Sequence, residues 1–232
     1  MIDGIDGSGK STVISAWKKY LSDQGNAIFD LKNYFQTNDR YPELHEIKSY
    51  DFIFSAEPTF TGIGKVLREE LINQKNHYSA LAIAQAFSLD RLILYNKIII
   101  PSLSQEKCII QDRGVSSALA YQAIQEDGPS LNDLAEMVGN KLALQNCPNH
   151  LVIVKVSEDT ALSRLSGRTD KQDEAIFEKQ NFIKKLIDQY ELPEFQNIFT
   201  RCGTQIHYLS GEEKIDIMKA EAIKLLQNIL KK

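Results

Sequence analysis

Residues 4–11 read Gly-Ile-Asp-Gly-Ser-Gly-Lys-Ser, which satisfies G-x-x-x-x-G-K-[ST] at every fixed position. The chemistry explains the spacing. Gly4, Gly7 and Gly9 permit backbone conformations that a side chain would forbid, so consecutive N–H groups can turn inward around a phosphate. Lys10 supplies a cation for the β- and γ-phosphates, and the Ser11 hydroxyl can ligate Mg²⁺. Ile5, Asp6, Ser8 and Thr12 complete the loop. Residues 11–24 read as a helix, so the phosphate would also sit at a helix N-terminus. The competing reading is a chance glycine-rich turn, and the character of both flanks speaks against it. An NTP-binding site is the firmest implication of this chain.

Three further constellations could carry chemistry. Glu57-Pro58-Thr59 follows the apolar run Asp51–Ser55, and Asp112-Arg113 follows Lys107–Gln111. An acid beside an arginine at a strand end suits phosphoryl transfer: the carboxylate holds a Mg²⁺ water or accepts a proton, and the arginine clamps an acceptor phosphate. The bland alternative for Asp112-Arg113 is a surface ion pair, worth little. Arg164 and Arg168, in the polar stretch ending at Lys171, share a face if helical. They read either as a solvated helix end or as a lid that closes over donor phosphates and keeps water from hydrolysing the NTP. Phe87 and Arg91 stand one helical turn apart, able to stack on a base and bond its carbonyl oxygen. Taken alone, that pair reads first as a core Phe beside a surface Arg.

These residues need a scaffold, and the chain alternates strand-like and helix-like segments. Strands are expected at 27–31, 51–55, 107–111, 151–156 and 205–209. Helices are expected at 62–75, at 79–100 (ended by Pro101), at 115–126, 130–145, 158–166, 174–191 and 212–231. Residues 33–50 look like a polar and aromatic insertion with one short helix. Only Met1, Ile2 and Asp3 precede Gly4, so the strand that carries the loop is very short or the true start lies upstream. The alternation implies a single three-layer α/β domain over residues 1–232, with a mostly parallel sheet and its candidate sites at strand C-termini.

Bulk properties narrow the function. The 232 residues are 43% hydrophobic and 25% charged, as in ordinary globular proteins. A net charge of −4 argues against a general nucleic-acid binder. The longest apolar run is broken by Asn96 and Lys97, too short to span a membrane, and no signal peptide is visible. Cys108, Cys147 and Cys202 lack metal or CxxC spacing; they read as buried apolar residues in a reducing, cytoplasmic setting.

Five segments in register resemble the thymidylate kinase family, 2–12 (IDGIDGSGKST), 57–71 (EPT followed by IGKVLREEL), 87–91 (FSLDR), 112–122 (DRGVSSALAYQ) and 162–168 (LSRLSGR), and with the helix ending DQYELP (188–193) the resemblance covers about 190 residues. The resemblance implies a P-loop kinase with a short lid at about 162–175. It implies ATP and Mg²⁺ as cofactors, dTMP as acceptor, and a homodimer through the helices near 62–100. Asp6 would sit near the acceptor 3′-hydroxyl. Phe87 would stack on thymine, and Arg91 would bond its O4. Asp112 would serve the Mg²⁺ and acceptor region, and Arg113 would bind the acceptor phosphate. Glu57 belongs to the acceptor site, and Arg68 would add a phosphate contact. Ser117 and Tyr121 would line the deoxyribose and base pocket. With no Arg after Asp6, Arg164 and Arg168 would supply the transition-state charge.

The chain departs from the family pattern where Ala56 replaces an Arg, where Ala118 and Leu119 follow the pocket serine, and where 173–178 lack an Arg. Two other readings therefore stand beside a dTMP kinase: a P-loop kinase with another acceptor, and a nucleotide-binding homologue without catalysis. A GTPase switch is disfavoured, because no NKxD-type motif is present.

Overall fold

Residues 151–154 (Leu-Val-Ile-Val) are buried at every position, as in a strand covered on both faces. The computed structural model, which describes residues 1–73, 76–166 and 180–231, places them in the middle of a parallel sheet. Its strands are β1 (Ile2–Asp3), β2 (Ile28–Asp30), β3 (Phe52–Ala56), β4 (Cys108–Asp112), β5 (His150–Lys155) and β6 (Gln205–Ser210). They lie in the order β2-β3-β4-β1-β5-β6, and every pairing is parallel. Parallel neighbours need long crossovers, and helices supply them. In chain order these are α1 (Lys10–Asp23), α2 (Leu31–Asn38), α3 (Leu44–Ile47), α4 (Gly62–Val66), α5 (Ala80–Leu94), α6 (Ile100–Leu103) and α7 (Val115–Tyr121). There follow α8 (Leu131–Glu136), α9 (Val138–Gln145), α10 (Glu158–Ser166), α11 (Gln180–Glu191), α12 (Pro193–Thr200) and α13 (Ile215–Leu230).

The period-two alternation of the strands divides the core into two layers. Phe52, Phe54, Val152 and Val154 face Trp17, Leu21, Met218 and Leu226 of α1 and α13. The Trp17 indole N–H donates to Ala222 O at 2.7 Å, tying those two helices together. Ile53, Leu151 and Ile153 face the other way, onto Leu94, Leu119, Leu186 and Phe195. Both layers are buried, so the sheet is a rigid platform with its C-terminal edge free to hold loops.

The structure departs from expectation at several points. Pro101 does not end the helix that begins at Ala80. A π-helical turn, Tyr95–Ile99, joins α5 to α6, and Pro101 falls within the first turn of α6. There its missing N–H costs little, and the widened turn accommodates the ring. The expected helix 130–145 breaks at Met137, whose ψ of 138° is extended. Residues 33–50 hold most of α2 and all of α3 rather than one helix. α12 was not anticipated, although Pro193 in its first turn and buried Phe195 and Phe199 one turn apart are its signal. The cysteines are not all buried: Cys108 and Cys147 are half-buried and Cys202 is exposed. Arg168, the expected lid beyond Ser166 and the start of the helix expected at 174 lie outside the described residues.

β1 is as short as the sequence requires. It pairs with β4 only at Ile2↔Asp112, and with β5 at Ile2↔Val152 and Asp3↔Ile153. Below it, a cavity of about 180 Å³ remains between the first halves of β4 and β5, lined by Met1, Ile109, Gln111 and His150. The Met1 amine donates to His150 O at 2.9 Å, and burial lowers its pKa to about 6. Among the described residues no helix is long and apolar enough to cross a membrane.

Candidate active site

The loop between β1 and α1 is built from backbone. Gly4, Gly7 and Gly9 hold φ values of +136°, +80° and +103°, in the region that favours glycine. A Cβ at Gly4 would stand 2.4 Å from Val154 O, so the loop also needs glycine to pack on β5. Lys10 is buried, and its ammonium donates to Gly4 O at 2.9 Å and Ile5 O at 2.7 Å. Burial, helped by the nearby Arg113 cation, lowers its pKa to about 8. The Ser8 hydroxyl is buried without a partner. Ser11 is exposed and Thr12 half-buried on the first turn of α1, while Ile5 packs into the core. From α10, Arg164 reaches across to the same loop: it donates to Gly7 O at 3.1 Å and Gly211 O at 2.7 Å.

Asp112 and Arg113 stand beside this loop because β4 ends next to β1. Arg113 N donates to Ile2 O at 2.9 Å, and its φ of +63° turns the chain sharply out of the sheet. The guanidinium then lies 2.5 Å from Asp6 Oδ1, 3.7 Å from Asp3 Oδ1, and donates to Ser117 Oγ at 3.1 Å. The Tyr121 ring lies 5.1 Å from it, and burial pushes the Tyr121 phenol well above its ordinary value. So Arg113 does not pair with its sequence neighbour. One carboxylate oxygen of Asp112, Oδ1, is instead buried without a partner among the described residues. A buried, unpaired carboxylate oxygen is costly unless something cationic or a water meets it. The Asp112 carboxylate and the Ser11 hydroxyl are each oxygen donors of the kind a hard divalent cation takes.

The Glu57 segment leaves β3 beside Asp112, with Glu57 N donating to Asp112 O at 3.0 Å. Its carboxylate is buried, 2.5 Å from the Arg91 guanidinium, and accepts from Gln111 Nε2 at 2.7 Å. Burial raises the Glu57 pKa to about 7, with Arg91 opposing. Arg91 is not a surface side chain: it is 1% exposed, and also donates to Asn140 Oδ1 and, at 3.1 Å, to Gly114 O. Its Nε is buried without a partner. Asn140 arrives there because α9 crosses α5 at Gly139. A Cβ on Gly139 would stand 1.8 Å from Ser88 O, a clash no rotamer relieves. Phe87 is half-buried on α5. Arg68 donates to Pro58 O and, at 3.1 Å, to Thr59 O, and lies 3.8 Å from the Phe60 ring. The structure thus gathers Asp6, Arg113, Ser117 and Tyr121 into one cluster and Glu57 and Arg91 into another.

Four residues of these clusters carry no sequence signal of their own. Asp3, fully buried, accepts from Gly4 N at 2.8 Å, Ser116 Oγ at 2.5 Å and Ser117 Oγ at 2.7 Å. It is the post that aligns the loop with α7; its place just before Gly4 is the only hint. Asp90 accepts from Thr59 N at 2.7 Å and Thr59 Oγ1 at 2.6 Å, fastening the Glu57 loop to α5. Gln111 and Asn140 are neutral partners whose roles appear only when four segments meet.

A family described as Thymidylate kinase matches residues 40–220. A thymidylate kinase of Mycoplasmopsis pulmonis is 27% identical over 203 residues, 84% of this chain and 75% of the relative. One from Kosmotoga olearia is 25% identical over 231 residues, 99% of this chain and 95% of the relative. One from Caldicellulosiruptor saccharolyticus is 24% identical over 235 residues, 100% of this chain and 97% of the relative. The family match begins after the Gly4–Thr12 loop, whereas the two longest alignments cover nearly the whole chain.

Proposed function

The chain belongs to the thymidylate kinase family, and we propose that it transfers the γ-phosphate of ATP to dTMP, making dTDP and ADP. The observation that carries this reading is Arg113 at 2.5 Å from Asp6. It puts a cation suited to an acceptor phosphate against the loop suited to the donor phosphates. The attacking oxygen is already anionic, so positioning and charge neutralisation do most of the work.

In this reading the loop N–H groups and Lys10 cradle the donor phosphates. Arg164, with Arg168, neutralises charge that develops on the transferred group. Arg113 holds the acceptor phosphate, with Asp6 beside the sugar and Arg68 adding charge at the Glu57 loop. Ser117 and Tyr121 shape the sugar pocket. Phe87 stacks on the base, and Arg91, braced by Glu57, bonds its carbonyl oxygen. Asp112 and Ser11 would hold Mg²⁺, which supplies charge neutralisation at the phosphates when bound. The lid is residues 162–175 of a single domain. A cytoplasmic setting and a homodimer belong to the same proposal; exposed Val66, Leu81 and Leu89 on and near α4 and α5 support the dimer.

A second acceptor has one observation in its favour. Ala118 and Leu119 are buried and apolar, so neither offers a polar group to a base. The test is coupled ATP turnover with Mg²⁺, comparing dTMP, dUMP, other nucleoside monophosphates, thymidine and no acceptor. Strong preference for dTMP is expected. Preference for another acceptor, or turnover with none, overturns the substrate.

A further inference from the structure

β5 and β6 are in register from His150↔Gln205 onward. Cys147 lies three residues before His150, and Cys202 three residues before Gln205. The two entry loops stay zipped ahead of the strands. Gln205 N donates to Asn149 O at 2.9 Å, and Thr204 Oγ1 donates to Pro148 O at 2.7 Å. Cys202 Sγ lies 3.2 Å from Ile198 O, on the helix just before it, and 3.6 Å from Leu144 O, at the end of the helix that leads into Cys147. Adjacent strands run about 4.8 Å apart, and a disulfide spans Cα separations of about 4.4–6.8 Å. The register and the loop hydrogen bonds therefore bring the segments that carry these two cysteines side by side.

We propose that Cys147 and Cys202 form a reversible disulfide that staples the entrances of β5 and β6. The chemistry uses a low-molecular-weight disulfide of the glutathione class as oxidant. Exposed Cys202, as thiolate, attacks one sulfur of the oxidant and expels a small thiolate. Half-buried Cys147 then attacks Cys202 Sγ and expels the second. The two protons lost by the cysteines go to the two leaving thiolates. Two protein thiols are oxidised and one small disulfide is reduced. Burial is the first cause that raises the Cys147 pKa, to about 12, so exposed Cys202 is the thiol that attacks the oxidant first.

The bridge would close a loop that contains β5, α10, the lid segment, α11 and α12. It lies at the strand N-termini, at the opposite edge of the sheet from Lys10. It should therefore restrict the unfolded chain without reshaping the phosphate loop.

The full chain is incubated with oxidised glutathione, alkylated under denaturing conditions, and read by intact mass and peptide mapping. The expected product has lost two hydrogens, links Cys147 to Cys202 and leaves Cys108 alkylated. Its Tm rises by about 5–10 °C, reversed by reductant. Cys202→Ser should show neither the link nor the shift. Cys147→Ser should instead accumulate a glutathione adduct on Cys202. A Cys108–Cys147 link, an interchain bridge, a persistent adduct in the wild type, or three alkylated cysteines would overturn the proposal.

Discussion

The donor and acceptor sides of the cleft are built by opposite means. On the donor side, one contiguous loop presents backbone, and the long cations Lys10 and Arg164 donate to carbonyls of Gly4, Ile5, Gly7 and Gly211. On the acceptor side, side chains from distant segments hold one another: Glu57 pairs with Arg91, Asp6 and Asp3 with Arg113, and Asp90 accepts from Thr59. A backbone cradle keeps its shape when a side chain is trimmed. A buried ion pair does not, because the surviving charge is left without compensation. Substitutions should therefore act on rate on the donor side and on stability on the acceptor side.

The sharpest test is Lys10→Ala. It should reduce kcat by about 10³-fold or more, in line with loss of a preorganised transition-state cation, and leave Tm near wild type. Equal activity of variant and wild type would break the donor assignment. Next is Glu57→Gln, measured at about pH 8.5, above the Glu57 pKa of about 7, where it leaves Arg91 buried beside a neutral partner. A loss of about 3–5 kcal/mol is expected, seen as a Tm drop of about 10 °C, with partial recovery in the Glu57→Gln, Arg91→Met double variant. An unchanged Tm with a lowered kcat would erase the contrast between the two sides. Phe87→Ala should raise the acceptor KM by about tenfold or more, as expected for one lost base–aromatic stack, with little effect on the ATP KM.

The smallest effect is a pH dependence. The Lys10 pKa is about 8 in the folded chain, below its ordinary value near 10.5. Between those values the unfolded chain binds more protons, so this group makes stability rise with pH over that window. Phosphate binding runs the other way, because it favours the charged lysine. ATP affinity should fall by up to about tenfold per unit above pH 8, with proton uptake in calorimetry that disappears in Lys10→Ala. No proton uptake at pH 8–9 would place the titration elsewhere.

Legibility followed the same divide. The loop at 4–12, the strands and the long helices were readable because each depends on neighbours in the chain: glycine spacing, apolar periodicity, caps. The Arg91 pocket was not, since a Phe and an Arg one turn apart are equally consistent with core and surface. What buried Arg91 was Gly139 letting α9 approach α5, which delivers Asn140. Asp3 was passed over because three residues before a glycine loop carry too little pattern. The sequence ends the helix expected at 79–100 with Pro101, because a π turn upstream has no local signature of its own.

By itself the sequence determined the alternating architecture and the phosphate loop, and its motifs resemble one kinase family. These are short-range properties, encoded by conformational preference and periodicity. The tertiary structure alone decided which charges meet. Arg113 turned from Asp112 to Asp6, an oxygen of Asp112 was left without a partner among the described residues, Glu57 met Arg91, and the segment of Cys147 was set beside that of Cys202. Such pairings depend on strand order and helix approach. Burial makes an unmatched charge expensive, and only the folded chain settles which partner is within reach.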